Sequence, residues 1–132
     1  FVLTLLLCGA LLFSTAHCSA IRSGTDADRA SPQWERAGIA RVSFYGNELR
    51  GRRTASGERF NPEGLTAAHR SLRFGTRVEF LNPTNGRTVT VRVNDRGPAV
   101  RGRHFDVSLG AARALGITRH GVSSLRYRVL DE

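Results

Sequence analysis

Hydrophobic and polar residues alternate through Thr88-Val-Thr-Val-Arg-Val93, which places Val89, Val91 and Val93 on one face and Thr90 and Arg92 on the other. Arg77-Val-Glu-Phe80 repeats the pattern with Val78 and Phe80, and Leu125, Tyr127 and Val129 alternate with Arg126 and Arg128. Period 2 with β-branched and aromatic residues predicts half-buried strands. Ile39-Ala-Arg-Val-Ser-Phe-Tyr45 and His104-Phe-Asp-Val107 are two further strand candidates. Asn85-Gly86 between two of the runs favours a tight hairpin turn, so those strands are expected to be antiparallel neighbours. One helix stands out: Ser108 as N-cap, Leu109-Gly-Ala-Ala-Arg-Ala-Leu115, and Gly116 closing it, with Leu109, Ala112 and Leu115 on one face. Five or six short strands with so little helix predict an all-β fold, a small closed barrel whose closure removes exposed edges.

The first residues follow another pattern. Phe1-Val-Leu-Thr-Leu-Leu-Leu-Cys-Gly-Ala-Leu-Leu-Phe13 is apolar and uncharged, and small residues follow it up to Ala20. That is too short to span a membrane and fits the apolar core of a secretory signal, with Cys18-Ser19-Ala20 as a small-x-small cleavage site. Residues 1–20 are therefore expected to be a signal segment, 21–37 a flexible tether and 38–130 the folded domain. Trp34 is the only aromatic side chain of the tether, and the sequence leaves open whether it docks on the domain or meets a ligand. Cleavage after Ala20 would remove both cysteines, Cys8 and Cys18, leaving no thiol nucleophile. Lipid attachment at Cys18, and with it membrane anchoring, is disfavoured because His17 stands where such sites want Gly, Ala or Ser. The expectation is an exported protein of the periplasm or cell envelope, monomeric.

Composition narrows the chemistry. The chain has 132 residues and 20 basic side chains, all Arg, so Schiff-base chemistry and the phosphate-binding lysine of P-loops are excluded. His69, His104 and His120 show no metal-ligand spacing, so neither a metal nor a cofactor is expected. No Gly-x-Ser-x-Gly elbow occurs. Carboxylate chemistry remains.

Glu58 follows a turn-forming glycine in Thr54-Ala-Ser-Gly-Glu-Arg-Phe60, and Asp95 ends the Val89–Val93 strand in Asn94-Asp-Arg-Gly-Pro98. Asp106 interrupts a strand, where Asp is disfavoured and needs a reason. Each has a plainer reading: a turn-stabilising Asp95, an Asp106 paired with one of many arginines, a solvated Glu58, a structural His69. Their weight comes from occurring together.

Together with Gly38-Ile-Ala-Arg-Val-Ser-Phe-Tyr-Gly46, Leu65-Thr-Ala-Ala-His69, Leu72-Arg-Phe-Gly-Thr76 and Gly102-Arg-His-Phe-Asp-Val-Ser108, these motifs closely resemble the RlpA (rare lipoprotein A) family of septal peptidoglycan lytic transglycosylases. The resemblance covers about Gly38 to Leu130 and implies a six-stranded double-psi β-barrel with one or two short helices. It places the family's functional residues on Glu58, His69, Asp95 and Asp106, with Asp95 slightly ahead of Asp106 as principal acid. Phe44, Tyr45, Ser56 and Arg96, in the same motifs, are the expected substrate contacts. Phe44 stands where the family usually has Trp, and Ala99 where it commonly has Phe, so the sugar-facing aromatic surface is smaller.

The resemblance implies an endolytic enzyme acting on peptidoglycan glycan strands, expected to be peptide-free, and leaving 1,6-anhydromuramic ends. The alternative is a non-catalytic, expansin-like wall-binding module. A net charge of +9 raises the question of nucleic acid. The arginines form no clustered block and the leader directs export, so a basic groove for a carboxylate-bearing glycan is the better reading, with no nucleic-acid partner.

Overall fold

The computed structural model describes Trp34 and residues 37–131. Six strands close into a barrel: β1 (Gly38–Phe44), β2 (Thr66–Ala68), β3 (Arg77–Leu81), β4 (Thr88–Asp95), β5 (Phe105–Val107) and β6 (Ser123–Asp131). Their order around the wall is β1-β5-β2-β4-β3-β6, with β6 pairing back to β1. Two neighbouring pairs, β1–β5 and β2–β4, are parallel, and the other four are antiparallel. Among the described residues, the helix α1 (Leu109–Leu115) and one 3₁₀ turn (Asn47–Leu49) accompany the strands. The expected signal segment and the lipidation question lie outside the described residues.

The alternation seen in the sequence is the inside-outside alternation of the wall. Val78 pairs with Val91 and Phe80 with Val89 across β3–β4, and all four are buried. Phe105 sits at the centre, edge-on to Phe80 at 5.0 Å and to Tyr127 at 5.4 Å between ring centroids. Full burial of side chains such as Phe80, Phe105 and Leu125 contributes about 1.5–3 kcal/mol each. Along β6 the pattern weakens: Leu125 is buried, Tyr127 is half-buried and Val129 is exposed.

Helix α1 is capped at both ends as the sequence indicates. Ser108 Oγ accepts from Ala111 N–H, and Gly116 takes a left-handed conformation at φ 72°. It docks through Ala111, Ala112 and Leu115, while Leu109 stays half-buried. The β3–β4 hairpin is antiparallel, but its connection, residues 82–87, is longer than a two-residue turn. Only glycines have positive φ among the described residues, so Asn85 contributes through its side chain. The amides of Asn82 and Asn85 both donate to the Leu115 carbonyl, at 2.8 and 3.0 Å, and satisfy an open helix end.

Trp34 docks on the barrel, 1% exposed. Arg126 donates to its carbonyl at 2.9 Å, and the Arg128 guanidinium lies 5.3 Å from its ring centroid while pairing with Glu79.

Candidate active site

One row of residues crosses four adjacent strands. Ser43 on β1 pairs with Asp106 on β5, Asp106 with Ala68 on β2, and Ala68 with Asp95 on β4. The neighbours of these residues, Val42, Phe105, Val107 and Ala67, point into the core, so Ser43, Asp106 and Ala68 belong to the outer face of the wall. The β2–β4 register shifts between Ala67 and Ala68, and the extra residue, Asn94, brings Asp95 level with Ala68. With strands spaced about 4.8 Å apart, the two aspartate backbones are separated by roughly 10 Å.

The two carboxylates are held differently. Asp95 Oδ1 accepts from Ala55 N–H at 2.9 Å and from Arg96 N–H at 2.8 Å. Its Oδ2 has no hydrogen-bond partner among the described residues. Asp106 Oδ1 accepts from the Ser43 hydroxyl, which also receives a long contact from Arg103 at 3.5 Å. The Asp that seemed misplaced in a strand thus has a cross-strand partner.

Asp95 lines a cleft of ≈ 410 Å³. Tyr45 and Phe60, edge-to-face at 5.5 Å, are aromatic residues of its lining, and Arg52, Arg53 and Arg59 make the lining basic. Arg53 is tied to the Gly57 carbonyl at 2.9 Å and Arg59 to the Gly51 carbonyl at 3.0 Å. The Arg52 guanidinium makes no hydrogen bond or ion pair among the described residues and remains open to a ligand.

Tyr45 links the carboxylates electrostatically. Burial raises its phenol pKa most, and the charges of Asp106 and then Asp95 raise it further. The phenol therefore stays protonated at any physiological pH, a neutral O–H donor beside two acids.

Glu58 and His69 stand around this centre in supporting positions. Glu58 receives two bonds from Arg92, at 2.6 and 2.9 Å, and one from Asn94 at 3.1 Å. The Arg92 and Asn94 hydrogen bonds hold its carboxyl below the usual range. Its backbone carbonyl accepts from Thr54 N–H at 2.7 Å, so it braces the loop that presents Ala55 N–H to Asp95. His69 Nδ1 accepts from Ser71 and Leu72 N–H, at 3.1 and 3.0 Å, which fixes the Nε2–H tautomer. Its ring packs 4.6 Å from Phe105, and burial, then the nearby Arg96, His104 and Arg70, lower its pKa.

The expected substrate contacts divide. Tyr45 lines the cleft, whereas Phe44 packs against the hydrophobic core. Ser56 bonds Thr54 through its hydroxyl at 2.9 Å, within the loop beside the cleft. Arg96 Nη1 donates to the carbonyls of His69 and Leu72, at 3.3 and 2.7 Å, and its guanidinium covers Phe74 at 4.0 Å. Ser43, Phe60, Ala68 and the three cleft arginines were not singled out from the sequence. Phe60 had a usable signal, because it ends the Ala-Ser-Gly-Glu motif; Ser43 and Ala68 matter only through register.

Residues 36–127 match the family described as lytic transglycolase, a double-psi β-barrel domain. A Nostoc sp. protein named a probable endolytic peptidoglycan transglycosylase RlpA is 61% identical over 95 residues, covering 70% of this chain and 25% of that protein. An Aquifex aeolicus protein of the same name is 49% identical over 110 residues, covering 83% of this chain and 47% of its own length. The chain thus spans a quarter to about half of these relatives. Among solved structures, the Clavibacter michiganensis expansin superposes with a TM-score of 0.56 at 24% identity, over 71% of this chain and 50% of the expansin, and shares the barrel fold. With the motifs, the closed six-stranded barrel and this match in agreement, the chain belongs to the RlpA-type lytic transglycolase family.

Proposed function

We propose that this domain is an endolytic peptidoglycan lytic transglycosylase of the cell envelope, cleaving between N-acetylmuramic acid and N-acetylglucosamine in peptide-free strands. The observation that carries the reading is Asp95, which lines the cleft: one carboxylate oxygen is held by two backbone N–H groups and the other is unpartnered among the described residues. A general acid or base needs an oxygen within hydrogen-bond reach of the reacting group, and the second oxygen of Asp95 is the one left for it.

In the proposed reaction Asp95, protonated, gives its proton to the glycosidic oxygen as the bond to the muramic anomeric carbon breaks. The muramic 6-hydroxyl attacks that carbon, and the Asp95 carboxylate takes the hydroxyl proton. The products are a free N-acetylglucosamine 4-hydroxyl and a 1,6-anhydromuramic end, with no water consumed and Asp95 protonated again. Tyr45 supplies a neutral O–H donor in the cleft. Asp106 and Glu58 set the local charge and brace the site, and His69 shapes the loop after β2. The basic lining favours a polymer whose muramic residues carry free carboxylates.

The test is mass spectrometry of soluble products from peptide-free glycan strands, with Asp95→Asn alongside. Products with 1,6-anhydromuramic ends that vanish in the variant support the proposal. Reducing ends would mean hydrolysis, and strand binding without release would mean a wall-binding module.

A further inference from the structure

Asp95 lines the cleft while the residue after it, Arg96, does not, and an endolytic acid acts in the middle of a polymer, with sugars on both sides of the bond. The surface beyond Asp95 is therefore part of any strand-binding track. Its next residue, Arg96, has its N–H bonded to Asp95 Oδ1, and its guanidinium lies 4.0 Å from the ring centroid of Phe74. Phe74 is 43% exposed, one of the few large apolar side chains on the surface of the described barrel. Arg96 Nη1 donates to the carbonyls of His69 and Leu72, which holds the guanidinium over the ring. Its Nη2 and Nε make no hydrogen bond among the described residues, which leaves donors free.

We infer that Phe74 and Arg96 together form a saccharide platform that carries the glycan strand past Asp95, outside the cleft. This rests on the function proposed above and adds a binding surface to it. Sugar rings present C–H faces that lie against flat aromatic and guanidinium surfaces, and N-acetyl groups present carbonyl acceptors. An exposed ring backed by a guanidinium with spare N–H groups matches both. Tyr45 and Phe60 give the cleft its aromatic surface, and this pair gives one outside it, beginning at the residue after the acid. A plainer reading is that Phe74 only props up the loop carrying Arg96, and the choice of variants separates the two.

The experiment titrates peptide-free glycan strands against the 132-residue chain carrying Asp95→Asn, which prevents turnover, alone and with Phe74→Leu, Phe74→Tyr or Phe74→Trp. Leucine keeps the apolar bulk and loses the flat face. The platform requires that Phe74→Leu weaken binding about tenfold, a stacking contribution of ordinary size, and that Tyr and Trp retain it. Equal affinity for the Leu variant, with its unfolding midpoint unchanged, would overturn the inference. Cleavage by the parent protein is scored separately. Cleavage with no Leu effect removes the platform alone, a Leu effect without cleavage removes the proposed chemistry alone, and absence of strand binding by the Asp95→Asn protein removes both.

Discussion

Asp95 and Asp106 flank a single alanine: Ala68 is the register partner of Asp106 on one side and of Asp95 on the other. Both charges act on Tyr45, yet only Asp95 lines the cleft, while Asp106 is engaged by Ser43. Asp95→Asn is expected to lower cleavage by about 10²–10⁴-fold, the usual worth of general acid–base catalysis. Asp106→Asn and Ser43→Ala should each cost less. Rates on glycan strands, with circular dichroism to confirm folding, check the ranking; a larger loss at Asp106 would reverse the assignment.

Ala68 is fully buried between the two acidic strands. A Val there adds two methyl groups at a closed position, and overpacking costs about 1–3 kcal/mol. Ala68→Val should therefore lower the denaturation midpoint and reduce cleavage together. Urea unfolding and a strand-cleavage rate measured on the same preparation would show whether the two losses coincide.

Glu58 and Arg92 form an ion pair whose side chains are both 44% exposed. Pairs so open to solvent contribute about 1 kcal/mol or less. Glu58→Gln and Arg92→Gln should thus be mildly destabilising, with partial and similar losses of activity from a loosened Ala55 loop. A double-mutant cycle tests this: if Glu58 handled the proton itself, Glu58→Gln alone would match the loss from Asp95→Asn.

His69 has its pKa lowered from 6.5, chiefly by burial and then by Arg96. Below pH 6.5 the unfolded chain takes up a proton that the folded protein resists, so the stability tied to His69 is full above that pH. It falls as pH drops towards and through the lowered folded value. Protonation at Nδ1 would also expel the Ser71 and Leu72 N–H donors. NMR titration should find the Nε2–H tautomer and a midpoint below 6.5, and His69→Gln should flatten the acid limb of the stability curve; a midpoint above 6.5 would contradict the geometry.

The features legible in the sequence are those set by neighbours a few residues apart. Strand alternation places Val89, Val91 and Val93 in the core because successive side chains point to opposite faces. The ends of α1 follow from a serine that can accept a backbone N–H and a glycine that tolerates positive φ. Asp95 at the end of a strand was equally visible. Strand β2 was not, because Thr66-Ala-Ala68 has too little apolar bulk to show a period. It is a strand because β4 and β5 flank it and take its hydrogen bonds.

The same distinction separates Tyr45 from Phe44, adjacent in sequence yet divided between cleft and core. Trp34, ambiguous in the sequence, is buried because Arg126 and Arg128 on the far strand receive it. The row from Ser43 to Asp106 joins residues 63 positions apart. Local patterning thus determined which side chains face inward, where the helix begins and ends, and which residue types were available for chemistry. Which of them meet was decided by closure of the barrel, because register across its wall depends on all six strands pairing at once.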